Sequence, residues 1–359
     1  MNKIYEAMDI ADCAYLMHTG KLSFEISPED KYTLAGKEII FGAEEPLLAH
    51  KSDMDEYFRF QTVYAEDRSS IAKIPIENLY KLISTYNIGF SITKNIAKFV
   101  ELTNQMYLKK EKKLSGTEMA SKEYARMYVE TVDILRKNYN KLKIDWLKQV
   151  VDRFSNSLVF TKGQAFKRST AKSDLKVETD RLGEYTFDLK SGSILCEEDD
   201  IGNEMFVLNR GNLEVYIGSK KVADINRTGT VIGEMALLLG EKRSATIKTV
   251  TDCNVTIIKP ENLENIASDM NDFFLNMAVN MCERLETNCN LIRGTNNLLV
   301  EEGSQSGAPK PPNERQNYKE LLSLIRELER YHLKYKFDWM GDLLKGLKKD
   351  IGNIRGKYT

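Results

Sequence analysis

The chain has 359 residues, 42% of them hydrophobic and 29% charged, with 52 Lys and Arg against 53 Asp and Glu. That size predicts two or three domains, each with its own core. The balanced charge excludes a global basic field for gripping nucleic acid, and no apolar run reaches membrane-spanning length.

Five scattered cysteines (Cys13, Cys196, Cys253, Cys282, Cys289) and a start without a signal-peptide pattern predict a reduced, cytoplasmic chain. Three distant histidines (His18, His50, His332) predict no His-based metal site.

In chain order, AYLMHTGKLSFEI (14–26) alternates apolar and polar residues around Gly20 and reads as two strands about a turn. LAGKEIIFGAEEPLL (34–48) runs from a strand into Gly42 and the acids Glu44 and Glu45. In IAKIPIENLYKLI (71–83) a Pro opens a helix. Residues 88–113 and 117–150 lack Pro and are rich in Lys, Glu, Leu and Tyr, which predicts helices. Residues 151–180 resemble nothing else in the chain.

EMFVLN (204–209), NLEVYI (212–217), ATIKTV (245–250) and NVTIIK (254–259) are short alternating runs between turns, the pattern of a small antiparallel roll or barrel. In the helix that follows, Phe274, Ala278, Met281, Leu285, Asn288 and Ile292 step by four and three. Such a seam predicts either a homodimer through residues 274–292 or an amphipathic helix packed on its own domain. EEGSQSGAPKPPNER (301–315) reads as a flexible linker, and residues 316–349 return to helical spacing.

The chain also repeats itself. Residues 14–26 resemble MFVLNRGNLEVYI (205–217), and 34–48 resemble NRTGTVIGEMALL (226–238). Residues 71–83 resemble IIKPENLENIA (257–267), NIAKFVE (95–101) resembles NMCERLE (280–286), and KIDWL (143–147) resembles KFDWM (336–340). All five offsets lie between 185 and 193 residues, in one order. Two units follow, each a β-rich module with a helical tail, the first expected to lack its early strands. The fold class is therefore α+β.

IGEMALLLGEKRSAT (232–246) carries the chemistry. Gly233 permits a tight strand-to-helix turn. The helix opened by Glu234, Met235 and Ala236 presents free N–H groups to an anion. Arg243 supplies a planar cationic fork, and Ser244 and Ala245 are small enough for close approach. Glu234 only accepts hydrogen bonds, so the ligand must also carry hydroxyl donors, as a sugar phosphate does. An internal Glu234–Arg243 salt bridge would explain the charges but not the Gly and the small residues.

GEMALLLGEKRSAT strongly resembles the phosphate-binding cassette of cyclic nucleotide-binding domains, as in the bacterial cAMP receptor protein and kinase regulatory subunits. GSILCEEDDIGNEMFVLNRGNLEVYI (192–217) resembles the strands before it, with Asp199 where the family has a turn Gly. The resemblance implies two cyclic nucleotide-binding-like β-rolls of jelly-roll type. It also implies that Glu234 accepts the ribose 2′-hydroxyl, that Arg243 binds the cyclic phosphate, and that Gly233, Met235, Ala236, Ser244 and Ala245 line the site. MCERLETNC (281–289) is similar to the family's base-capping helix, which places Arg284 and Asn288 as ligand-facing residues.

In the first copy Arg59 stands where Arg243 stands, but Phe60 and Gln61 replace Ser244 and Ala245. Their bulk predicts a degenerate module without a ligand. The chain thus divides into a degenerate, truncated roll (1–87), a helical tail (88–150), an accessory segment (151–180) that could supply the missing strands, and a cyclic nucleotide-binding domain (181–270). A long helix (271–300), a linker (301–315) and a C-terminal helical segment (316–359) follow.

The expected function is that of a non-enzymatic receptor for cAMP, with cGMP or a cyclic dinucleotide as alternatives, acting on an unidentified protein partner. No cofactor, metal or membrane is expected, and nucleic acid is not an expected partner. The competing expectations are an interaction scaffold with two non-binding rolls and a transcription regulator with an unrecognised DNA-binding tail; no helix-turn-helix is visible in 316–349.

Overall fold

The computed structural model describes residues 1–52, 56–167, 185–269, 272–299 and 314–358. The chain opens with β1 (Asn2–Tyr5), β2 (Cys13–Ser27), β3 (Asp30–Phe41), α1 (Glu44–Ser52), β4 (Thr62–Ala65), β5 (Ser70–Pro75), α2 (Ile76–Ile83) and α3 (Tyr86–Glu111). Helices α4 (Gly116–Leu142), α5 (Asp145–Ser155) and α6 (Leu158–Gly163) follow. The second β region holds β6 (Thr186–Leu189), β7 (Ile194–Cys196), β8 (Met205–Arg210), β9 (Leu213–Ile217), β10 (Lys220–Ile225) and β11 (Thr230–Ile232). It continues with α7 (Glu234–Leu239), β12 (Thr246–Thr249), β13 (Cys253–Ile258), α8 (Pro260–Asp269) and α9 (Phe273–Leu299). Helices α10 (Glu314–Tyr335) and α11 (Asp338–Tyr358) end the described chain.

These elements form two compact units. One comprises Met1–Thr103 with Thr170–Glu286, described from residue 185 onward in its later part; the other comprises Asn104–Ser169 with Thr287–Thr359. The fold is α+β, with antiparallel β-rolls and helical parts.

In the first unit, the later roll is two four-stranded sheets, ordered β10-β9-β12-β7 and β11-β8-β13-β6. Phe206, Leu208, Leu213, Ile232, Ile247 and Val255 fill the space between them, each on the inward side of an alternating strand. The earlier roll uses the same pairings along one longer strand. The first half of β2 pairs with β5 and the end of β3, as β8 pairs with β13 and β11. The second half of β2 pairs with β4 and the start of β3, as β9 pairs with β12 and β10. Gly20 and Gly211 mark the junction in each copy, at φ of 144° and 107°. Strand β1 pairs with β4 as β7 pairs with β12. The expectation that the first copy lacks its early strands therefore needs correction: β1 supplies one of the two, and a counterpart of β6 is missing among the described residues. Four residues are too few to show an alternating pattern, so β1 left no signature in the sequence.

The second unit is a helical assembly of α4, α5, α6, α10 and α11 around Tyr128, Leu135, Leu147, Phe154, Leu324 and Met340. Ser115 and Glu118 form a capping box that starts α4. The KxDW repeat now has a local reason. Lys143 and Lys336 sit in the left-handed region (φ 53° and 50°) and terminate α4 and α10, while Asp145 and Asp338 open the next helices. Trp146 stacks on Tyr331 and Tyr335 at 4.2 and 5.4 Å between ring centroids. Residues 151–167 belong to helices α5 and α6 and a short 3-10 turn rather than to strands, so the idea that this segment completes the first roll is corrected where it can be seen; 168–184 lie outside the described residues. Most of the expected linker, residues 301–313 of 301–315, also lies outside them.

The seam on α9 is corrected as well. Phe274, Ala278, Met281, Leu285 and Ile292 are all buried within a single chain. They form the packed face of an amphipathic helix and are not presented to a second copy.

Candidate functional site

The site grows from the turn between β11 and α7. Gly233 caps α7 at φ 78°, a conformation that costs a side chain dearly, and Gly240 closes the helix at φ 68°. Asp199, in place of a Gly, adopts φ 68° as an Asp can. The loop it belongs to pins Arg243 at its backbone: Arg243 N donates to Asp200 O at 2.8 Å and Asp199 N donates to Arg243 O at 2.9 Å.

The Arg243 side chain is only 4% exposed. Its Nη1 donates to Gly233 O (3.2 Å), and Nη2 donates to Glu204 O (2.7 Å) and Glu204 Oε1 (2.9 Å). The guanidinium also lies 5.1 Å from the centre of the Phe206 ring. A methyl group on Gly202 would sit 2.1 Å from Arg243 Nε, and one on Gly233 2.2 Å from Nη1. Those two glycines open the corridor through which the guanidinium passes. Gly202 and Glu204 were not singled out in the sequence; the signal for Glu204 was an acid directly before the buried run MFVL.

Glu234, at the first position of α7, does not meet Arg243. Its Oε1 accepts from Arg284 Nη1 on α9. The carboxylate is mostly covered and the guanidinium 41% exposed. The structure therefore brings Glu234 and Arg284 together, and joins Arg243 to Gly233 and Glu204. Ala236 is buried, Met235 and Ala245 are half-buried, and Ser244 is exposed in the bend between Arg243 and β12. Asn288 lies one turn beyond Arg284 on α9, but falls in the second compact unit.

The first copy repeats the arginine's geometry and then closes it. Arg59 Nη1 donates to Gly42 O (2.6 Å), and Nη2 donates to Cys13 O, the residue aligned with Glu204. Where Arg243 finds the Glu204 carboxylate, Arg59 finds Glu45 on α1, at 2.9 Å. Glu45 also accepts from Phe60 N at 3.1 Å, and both charged side chains are 1% exposed. Ala43 occupies the place of Glu234. The anion that Arg59 faces is thus part of the protein, and no acid stands at the position of Glu234. Glu44 beside Glu45 is buried with neither oxygen hydrogen-bonded, as is the Tyr5 hydroxyl. Burial, then the neighbouring Glu45 charge, pushes the Glu44 carboxyl up to about 8.

Both rolls meet α9 within this unit. Tyr57 Oη donates to Glu286 Oε1 (2.9 Å) and Lys51 lies 3.5 Å from Glu283 Oε1, while Arg284, between them in sequence, holds Glu234.

A roll carrying a glycine-opened helix, a buried Arg and an acid at the helix start defines a domain of the cyclic nucleotide-binding class. Residues 186–269 match the model of the cyclic nucleotide-binding domain family. The chain is 38% identical over 66 residues to a cGMP-dependent protein kinase of Plasmodium berghei, covering 18% of this chain and 8% of that one. It is 34% identical over 82 residues to cGMP-dependent protein kinase 2 of Mus musculus, covering 23% and 11%. It therefore spans about a tenth of the length of these relatives. Among solved structures, a cAMP-bound PfPKA-R (141–441) is 17% identical, with 74% of this chain and 69% of that one covered and a TM-score of 0.26. PKAR CBD2 bound to Sp-2Cl-cAMPS is 22% identical, with 29% and 77% covered and a TM-score of 0.24. Among the described residues no helix is long and apolar enough to cross a membrane, and no group of three or more His, Cys, Asp or Glu side chains could hold a metal ion.

Proposed function

We propose that the chain is a non-enzymatic, cytoplasmic receptor that binds one cyclic purine mononucleotide in its second roll and passes the event to a protein partner through α9. The observation that carries this reading is the contrast between the two arginines. Arg59 is neutralised from inside its own cassette by Glu45, whereas the carboxylate on Arg243 comes from Glu204, outside the cassette. On this reading a cyclic phosphate binds Arg243 beside the Glu204 carboxylate, at the cassette position that Glu45 fills in the first copy. Glu234 would accept the ribose hydroxyl, a bond it must share with Arg284. Ligand and α9 therefore address one carboxylate, and the ligand favours the helix position that accommodates both.

The ligand proposed is cAMP. The names of the matched kinases and the exposed Ser244 hydroxyl, able to meet a guanine amino group, favour cGMP as a second reading. Calorimetric titration of the full chain with cAMP, cGMP and cyclic dinucleotides separates the two. One site per chain is expected, with Arg243→Ala costing about 2–4 kcal/mol of binding. An unchanged affinity in that variant, or the absence of binding to all ligands, refutes the proposal.

A further inference from the structure

The first unit holds a cleft of about 450 Å³ with three walls, lined by neither Glu234 nor Arg243. Strand β3 contributes Leu34 and Lys37, helix α3 contributes Lys94, Asn95 and Lys98, and the end of the cassette contributes Leu239 and Glu241. Its volume is comparable to that of small-molecule sites, and one side is open to solvent. Lys94 and Lys98 stand one turn apart on α3, an arrangement in which like charges repel and weaken a helix unless an anion joins them. Lys37 faces the same space from β3, and none of the three pairs with an acid of the described chain. The Asn95 side-chain nitrogen is buried in this wall without an acceptor. Leu239, half-buried, supplies apolar surface, and the Glu241 carboxyl supplies one acceptor.

We propose that this cleft is a second ligand site, for a nucleoside polyphosphate. The three ammonium groups would share the phosphate oxygens, Leu239 would pack on the base, and Glu241 would accept from a ribose hydroxyl or an exocyclic amine. Leu239 and Glu241 flank Gly240, which closes α7 three residues before Arg243. Occupancy here acts on the backbone that carries the cyclic-phosphate arginine, and linkage makes that coupling reciprocal.

The test is calorimetry of the full chain with ATP as the probe, with and without saturating cAMP, at low and moderate salt. Binding that persists in the presence of cAMP and weakens as salt rises is expected. Lys94→Glu/Lys98→Glu should reduce ATP affinity on the order of ten- to a hundredfold. Lys37→Glu should act in the same direction, and ATP binding should survive Arg243→Ala. All three lysines are solvent-exposed, so the variants should keep the parental melting curve. The proposal is overturned if ATP gives no heat, if cAMP or Arg243→Ala abolishes that heat, or if the lysine variants bind ATP like the parent. Failure of the cyclic nucleotide reading would show separately, as an absent cAMP titration.

Discussion

Arg59→Ala tests the contrast between the two rolls. The substitution removes a guanidinium that bonds Gly42 O, Cys13 O and the Glu45 carboxylate and lies 4.4 Å from the Tyr5 ring centre. Both members of the Arg59–Glu45 pair are 1% exposed, so water cannot replace the lost partner. Breaking a buried pair from one side costs about 3–5 kcal/mol, because the remaining charge is stranded. Here the stranded charge is Glu45, beside a second buried acid, Glu44. A loss near the upper end of that range is expected, a large share of the ~5–15 kcal/mol that holds a typical domain. Replacing the pair together, Arg59→Met with Glu45→Leu, should recover most of it, since the desolvation of both charges then disappears. Urea unfolding of the full chain measures each step, and cAMP titration under folding conditions reports stoichiometry. The ligand count should stay at one per chain in the double variant. A loss below ~1 kcal/mol in Arg59→Ala, or a fall from two sites to one, would show that Arg59 serves a ligand bound in the first roll.

Two further expectations concern neighbouring groups. The folded chain holds the Glu44 proton up to about pH 8, while an unfolded chain releases it near the ordinary value of 4.5. The folded state therefore binds more protons between those limits, and stability should fall as pH rises through them, by roughly 3 kcal/mol at pH 7. Glu44→Gln should flatten this slope and raise the melting temperature at pH 8 relative to the parent; parallel curves from pH 5 to 9 would count against a buried neutral acid. Gly233→Ala forces a side chain into φ 78° and places its methyl 2.2 Å from Arg243 Nη1. It should cost about 1–2 kcal/mol of stability and lower cyclic nucleotide affinity about tenfold or more; parental affinity on calorimetry would show that Arg243 need not hold its observed position.

Much of the architecture was written locally. Alternation between apolar and polar residues marked β8, β9, β12 and β13, and proline marked the starts of α2 and α8, because a strand or a helix start needs only its own residues to announce itself. The internal repeat was legible for the same reason: both copies must make the same pairings, and each arginine bonds the carbonyl of its own turn glycine. The α9 seam shows the limit of such patterns. A four-three spacing says that one face is buried, and the same face serves a partner helix or the chain's own core equally well.

What the residues determined by themselves was chemistry and periodicity: a guanidinium at 243, a carboxylate at 234, bulky Phe60 and Gln61 where the other copy is small, and a repeat of about 190 residues. Only the tertiary structure decided which charge faces which. Glu204 rather than Glu234 meets Arg243, Arg284 meets Glu234, and Glu45 closes on Arg59. A buried charge must find its counterion wherever the packing brings one within about 3 Å, and that partner lies 14 to 50 residues away in these three pairs, beyond the reach of any local pattern.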